Sequence, residues 1–277
     1  MQREKDTQVF QLNWDKFMFD DKEHLKFIQY CKDKKLDVVV TSVIETQGST
    51  YAKVGNKMLV NSNDEFAGVL GSKFLQNKII ESSKEALKTG QIFTFESIPQ
   101  DESSGHGTSK YKIEPFFYEK NYDKINEYIK KTYSLLIFGS GAHVTSLILM
   151  ANLMGWETTV IDIKIHKEFV KEADTLLELE SIENILDMDL SSYNASVILS
   201  HNPKTDDMYL KALLNSNMNY IGMMGNKKNM QRIKKEFALE NDKRFFAPIG
   251  LEIGGNTHQS IALSICSQIE ARKNGKI

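Results

Sequence analysis

The chain has 277 residues, enough for two domains of ordinary size or one large one. Hydrophobic residues make up 41% and charged residues 26%, a balance that excludes a disordered or fibrous chain. The 35 Lys and Arg against 37 Asp and Glu leave a net charge of −2, without the basic excess of a dedicated nucleic-acid binder.

The basic residues are almost all Lys, with Arg only at Arg3, Arg232, Arg244 and Arg272, so an anion site here relies on Lys and backbone amides. Cys31 and Cys266 sit in separate helix-like stretches without CxxC or metal-ligand spacing, and they read as core thiols rather than a disulfide framework or metal set. The opening MQREKDTQVFQLNW lacks an apolar leader core, and the apolar stretch Val144–Trp156 is too short for a bilayer span. The chain therefore reads as cytoplasmic, with no membrane and no nucleic-acid partner.

In chain order, Leu25, Ile28 and Cys31 recur at helical spacing within residues 20–35 and predict an amphipathic helix. The β-branched run Val38–Ile44 predicts a strand, ended by the turn-like Gln47-Gly48-Ser49-Thr50. Met58–Val60 and Phe66–Leu70, on either side of Asn61-Ser62-Asn63-Asp64, predict a hairpin. A helix is expected from about Ser72 to Lys88, closed by Gly90. Residues 96–110 read as a long polar loop and Tyr111–Tyr118 as a further strand. The charged stretch Glu119–Thr132 marks the junction between an N-terminal mixed α/β domain, residues 1–125, and a C-terminal domain, residues 133–277.

Beyond the junction the pattern changes to short apolar runs separated by helix-like stretches. Leu135–Phe138, Thr158–Ile161, Ser196–Leu199 and Asn219–Ile221 have the continuous hydrophobicity of buried parallel strands. Their alternation with helices predicts a Rossmann-like, doubly wound parallel sheet.

The unusual residues gather after those strands. Gly139-Ser140-Gly141 follows the first, where glycines allow a tight turn and close approach of a phosphate to a helix N-terminus. Asp162 ends the next strand, 21 residues after Gly141, at the position of a ribose-binding acid, while Val144 stands in place of a third fingerprint glycine. His201, Gly222, Gly225 and Glu252 fall in later segments of the same kind; His201 and Glu252 add proton transfer or hydrogen bonding. Asn256, with Gln259 three residues on, has the pattern of a capping box opening the last helix. Replacing Gly139 or Gly141 is expected to weaken ligand binding while the fold is largely kept.

The segments LLIFGSGAHVTSLILMANLMGWETTVID, VILSHNPKTDDMYLKALL, YIGMMGNKKN and APIGLEIGGNTHQSIALSI, with TSVIETQGSTYAKVGNKMLV in the first half, resemble the XdhC/CoxI family of xanthine dehydrogenase accessory proteins. The resemblance runs from about Val38 to Arg272 and implies an N-terminal XdhC-like domain followed by a Rossmann-like one. It also implies a chaperone that binds molybdenum cofactor (molybdopterin), supports its sulfuration with a cysteine desulfurase, and delivers it to a xanthine dehydrogenase-type apoenzyme. Gly48, Ser49, Thr50 and Gly55 stand in register with the family's opening block, and Lys53 and Lys57 stand where the family usually has Arg. Gly48, Ser49, Lys53 and Lys57 are thus N-terminal candidates for a pterin phosphate, with Lys73 a further basic partner.

Two family cysteines are missing. The aligned block here is Gly71-Ser72-Lys73-Phe74-Leu75-Gln76, with Phe74 in the cysteine position, and no thiol occurs in Gly105–Ser109. His143 falls where one branch of the family has Asp. Two other readings stay open: an NAD(P)-dependent oxidoreductase resting on Gly139, Gly141 and Asp162 with His201 as acid/base, and a catalytically silent nucleotide-binding module. No catalytic residue and no metal site is assigned, and a homodimer is left open.

Overall fold

The computed structural model describes residues 21–98 and 107–277. The opening residues 1–20 and the middle of the polar loop at 96–110 lie outside the described residues. The chain divides into two compact units between Lys131 and Thr132.

The first unit is built on an antiparallel sheet of five strands in the order β3-β2-β1-β5-β4. These are β1 (Val38–Gln47), β2 (Lys57–Asn61), β3 (Phe66–Ala67), β4 (Phe93–Ser97) and β5 (Thr108–Phe116). Alternation along β1 sends Val38 and Val40 to one face and Val39 and Val43 to the other. Helix α1 (Asp21–Asp33) buries Phe27, Ile28 and Cys31 against the first set, and α2 (Lys73–Thr89) sets Leu75, Ile79, Ile80 and Ala86 on the opposite side. Ser72 caps α2, its Oγ accepting from the Leu75 N–H, and Gly90 closes it in the left-handed conformation. The junction carries one short 3-10 helix at Tyr122–Glu127.

The second unit is a six-stranded, wholly parallel sheet. Its strands are β6 (Ser134–Phe138), β7 (Glu157–Asp162), β8 (Thr175–Glu178), β9 (Ala195–Ile198), β10 (Tyr220–Met223) and β11 (Phe245–Phe246), in the order β8-β7-β6-β9-β10-β11. The chain works outward from β6 to one edge, then returns to β9 and works outward to the other. Helices cover both faces. On one, α3 (Ala142–Leu153) and α7 (His258–Lys273) pack on Leu135, Ile137 and Val197. On the other, α5 (Pro203–Leu214) and α6 (Lys227–Glu236) pack on Leu136, Phe138 and Ile198. A four-residue α4 (Lys167–Val170) follows β7. Among the described residues no helix is long and apolar enough to cross a membrane.

Two local expectations are corrected. The last helix is capped by Thr257, whose Oγ1 accepts from the Ser260 N–H at 3.2 Å, and Asn256 lies one residue before the cap. Gly222 is not in a loop after a strand. It lies buried inside β10, where an added Cβ would collide with the Ile249 and Tyr220 side chains, so it serves packing.

Candidate functional site

Adjacent strands β6 and β9 release the chain toward opposite faces, to α3 and α5. The segments after them diverge to opposite faces from this switch point, the place where doubly wound sheets form their ligand crevice. Gly139 has φ +107°, and a Cβ there would stand 2.9 Å from Leu199 C, Ser200 N and Ser200 Cα. Its glycine is required for the two loops to touch, so the expectation that the fold tolerates its replacement is corrected. Gly141 has an ordinary φ of −75° and begins α3 without a side-chain cap. The N–H groups of the first turn therefore have no side-chain acceptor there.

Asp162 ends β7 but is already tied into the loop network. Ser140 Oγ stands 2.8 Å from Asp162 Oδ2 and 3.0 Å from the Lys164 carbonyl, and accepts from the His166 N–H at 3.1 Å. Asp162 Oδ1 accepts from the Ile163 N–H at 2.8 Å. A carboxylate oxygen has two acceptor sites, so each keeps one for a ligand hydroxyl.

On the α5 side Asp206 is only 5% exposed and accepts a hydrogen bond from Ser200 Oγ. Burial pushes its carboxyl pKa up, while Ser200 and His201 pull it back. Tyr209 is fully buried and stacks on Phe138 with ring centroids 4.3 Å apart. Among the described residues its hydroxyl finds no hydrogen-bond partner. Burial raises its pKa, and the negative charges of Asp162 and Asp206 add to that.

Three imidazoles meet from three different elements. The His143 ring on α3 lies 4.7 Å from that of His201 after β9 and 6.2 Å from that of His258 at the start of α7, by centroids. His143 Nε2 donates to the Leu199 carbonyl at 2.9 Å. Its other edge faces the glycine loop, because a Cβ on Gly141 would stand 2.9 Å from His143 Cε1 and 3.1 Å from Nδ1. Desolvation lowers the His143 pKa, opposed by the Leu199 carbonyl and reinforced by the other two imidazoles. His201 adopts φ +55°, unusual for a residue with a side chain.

The structure thus brings Gly139, Gly141, Asp162 and His201 together. Gly225 precedes the Asn226 cap of α6, where an added Cβ would press on Met230, and Glu252 lies in the exposed stretch before α7. His258 and Tyr209 were not singled out in the sequence. A His directly after a capping Thr, and a Tyr in the first turns of the helix after His201, are weak signals that gain meaning only in three dimensions.

In the first unit, Gly48, Ser49 and Lys53 lie in the loop between β1 and β2, Lys57 opens β2 and Lys73 opens α2. Gly48 turns at φ +74°, where a Cβ would approach Gly107 Cα to 3.2 Å. The ammonium groups close the loop on itself: Lys53 Nζ donates to the Thr50 carbonyl at 3.0 Å and Lys57 Nζ to the Gly55 carbonyl at 2.8 Å. Gly48 and Ser49 are exposed beside them. At the site of the missing cysteine, Phe74 is 76% exposed on the first turn of α2. The two thiols that do exist are buried, and burial pushes each pKa up to about 12.

A parallel sheet in this order, with a glycine turn at its switch point, defines a Rossmann-type domain. The model of the XdhC Rossmann domain matches residues 135–269, and that of the XdhC and CoxI family matches residues 31–96. The chain belongs to the XdhC/CoxI family. It is 23% identical over 253 residues to the uncharacterized protein YqeB of Escherichia coli K12, covering 88% of this chain and 45% of that protein. It is 24% identical over 138 residues to a probable xanthine dehydrogenase subunit of Bacillus subtilis 168, covering 49% of this chain and 41% of that one. The chain spans less than half the length of either curated relative. A crystal structure of a xanthine dehydrogenase from Bacillus halodurans shares the fold, with a TM-score of 0.75 and 18% identity over 93% of this chain and 97% of that one.

Proposed function

We propose that the protein is an accessory factor for a xanthine dehydrogenase-type molybdenum hydroxylase, holding the pterin portion of the molybdenum cofactor for maturation and insertion. Family membership and the names of its relatives support the assignment. The observation that carries it is the switch-point crevice, with a glycine turn and an uncapped helix start on one side and buried hydroxyl and carboxylate groups on the other.

The residues fit the phosphate and pterin ends of that cofactor and not its metal end. A molybdenum ligand or sulfur relay needs a thiolate. Cys31 and Cys266 are buried with pKa values near 12, so both are protonated at neutral pH. Among the described residues, no group of His, Cys, Asp and Glu is placed to hold a metal. In this reading the Gly139–Gly141 turn and His201 hold the phosphate end, and sulfur chemistry falls to a separate cysteine desulfurase. One observation favours a nicotinamide nucleotide instead: Asp162 stands at the ribose position with acceptor capacity left.

The test is native mass spectrometry and molybdenum analysis of protein purified from its own host, together with deletion of its gene. The expected result is a pterin adduct, and a hydroxylase that accumulates without its cofactor in the deletion strain. A nicotinamide nucleotide in the purified protein, or a fully loaded hydroxylase in the deletion strain, overturns the reading.

A further inference from the structure

We infer that His143, His201 and His258 form a proton-coupled clamp for the phosphate of a ligand whose other end carries hydroxyl or N–H donors. The inference deepens the accessory-factor reading by assigning the crevice a ligand polarity and a dependence on pH. It rests on that reading only for the identity of the natural ligand.

The three rings come from three separate elements, with those of His201 and His258 each set edge-to-face against that of His143. His143 is the centre. Its Nε2–H is committed to the Leu199 carbonyl, so in the neutral ring Nδ1 is an acceptor, and that edge faces Gly141 at the start of α3. An anion drawn to the uncapped helix start by its N–H groups and dipole would meet a lone pair there. Protonation turns Nδ1 into a donor and converts repulsion into a charge-assisted hydrogen bond. Burial and the two neighbouring imidazoles both disfavour the proton in the free protein. A phosphate between the rings reverses the second effect, so binding must take up protons.

The far wall has the opposite character. Asp206 and Asp162 present carboxylates, each held by a serine, and among the described residues the buried Tyr209 hydroxyl finds no hydrogen-bond partner. An anion is repelled from that side, whereas a sugar or pterin bearing O–H or N–H groups is matched by it. The titratable groups around the clamp are thus His201 and His258 beside His143, with Asp206 near His201 and Asp207 near Asp206. The site is asymmetric: phosphate toward α3, hydrogen-bond donors toward α5.

The test uses the full-length protein with inorganic pyrophosphate and ADP as probes. Imidazole carbon-proton correlation spectra report each histidine directly, with His166 as an internal control. On saturation, the titration midpoints of His143, His201 and His258 are expected to rise by about one unit in sum, equivalent to tenfold tighter binding below the midpoint than above it. The same coupling appears as proton uptake in calorimetry across buffers of different ionisation enthalpy. His143→Gln, whose amide can still donate to the Leu199 carbonyl, combined with His201→Asn, which keeps a residue tolerant of positive φ, should abolish most of that uptake in a folded protein. Tighter binding of ADP than of pyrophosphate identifies a nucleotide-like ligand, and equal binding identifies the phosphate alone as the determinant; both support the clamp. No binding of either probe, binding without movement of these midpoints, or proton uptake unchanged in the double variant overturns it. A clamp that passes in a protein purified without pterin refutes the accessory-factor reading alone, so the two failures are distinguishable.

Discussion

Replacing Gly139 by Ala tests whether the switch-point turn is built for the fold or only for a ligand. At φ +107° a side chain introduces strain of about 1–3 kcal/mol. The new Cβ would also lie 2.9 Å from three backbone atoms of Leu199 and Ser200, none of which can rotate away. Separating the two loops adds roughly 1–3 kcal/mol, the usual range for overpacking. A total near 4 kcal/mol lowers the melting temperature by roughly 8–16 °C, at about 2–4 °C per kcal/mol for a chain of this size. Gly141→Ala is the matched control, because its φ is −75° and its nearest neighbour is the movable His143 ring. It should cost under about 1 kcal/mol, the range of ordinary surface changes. Circular dichroism melts of the two variants beside the parent provide the measurement. A Gly139→Ala variant melting within about 2 °C of the parent, or the two variants melting alike, refutes the argument that backbone contact between the loops demands glycine.

The remaining predictions concern buried polar groups. Cys31 and Cys266 should resist maleimide at pH 8 and both react in urea; because burial raises each folded pKa to about 12, their contribution to stability is complete below the unfolded value near 9 and disappears as pH rises toward 12. Stoichiometric labelling of the native protein would contradict this. Gln268 Oε1 accepts from Tyr220 Oη at 2.7 Å and from the Gly250 N–H at 2.8 Å, so Gln268→Leu should cost about 2–4 kcal/mol in urea unfolding against about 1 for Tyr220→Phe. Equal losses would mean that the Gly250 N–H finds another acceptor. Asp206→Asn should stabilise the protein at pH 7 and lose that advantage below pH 4, because a raised folded pKa means the charged form opposes folding. A variant less stable than the parent at pH 7 would show that Ser200 and His201 outweigh desolvation.

The second unit was legible because parallel strands buried on both faces are written as unbroken apolar runs. Leu135–Phe138, Thr158–Ile161 and Ser196–Leu199 match β6, β7 and β9 to within a residue or so at each end. Strands β8 and β11 were missed for an equally physical reason. Thr175–Glu178 is half-exposed at one edge of the sheet, and Phe245–Phe246 has only two residues at the other, so neither carries a buried-strand pattern. In the first unit, Phe93–Ser97 is an edge strand with no fully buried residue, and its alternation blends into the polar segment that follows. The crevice was legible as a location, through Gly139, Asp162 and His201, but not as a set of contacts. Gly222 shows the limit, since a glycine after an apolar run reads the same whether it faces a ligand or makes room for Ile249.

Several departures from the local rules gather at the switch point. Helices α5, α6 and α7 are capped by Asn202, Asn226 and Thr257, whereas α3, like the four-residue α4, starts without a side-chain cap. Among the described residues Asp206 is buried and the Tyr209 hydroxyl has no hydrogen-bond partner at this edge, and His201 adopts a positive φ. Each departure costs about 1–3 kcal/mol. A chain of marginal stability does not collect such costs in one place through packing alone, because single substitutions would remove each of them. A bound group with an anionic end at α3 and donors toward α5 would satisfy the bare helix start, the imidazoles, the carboxylates and the phenol at once. The departures are of different chemical kinds, and one ligand of the proposed polarity would account for them together.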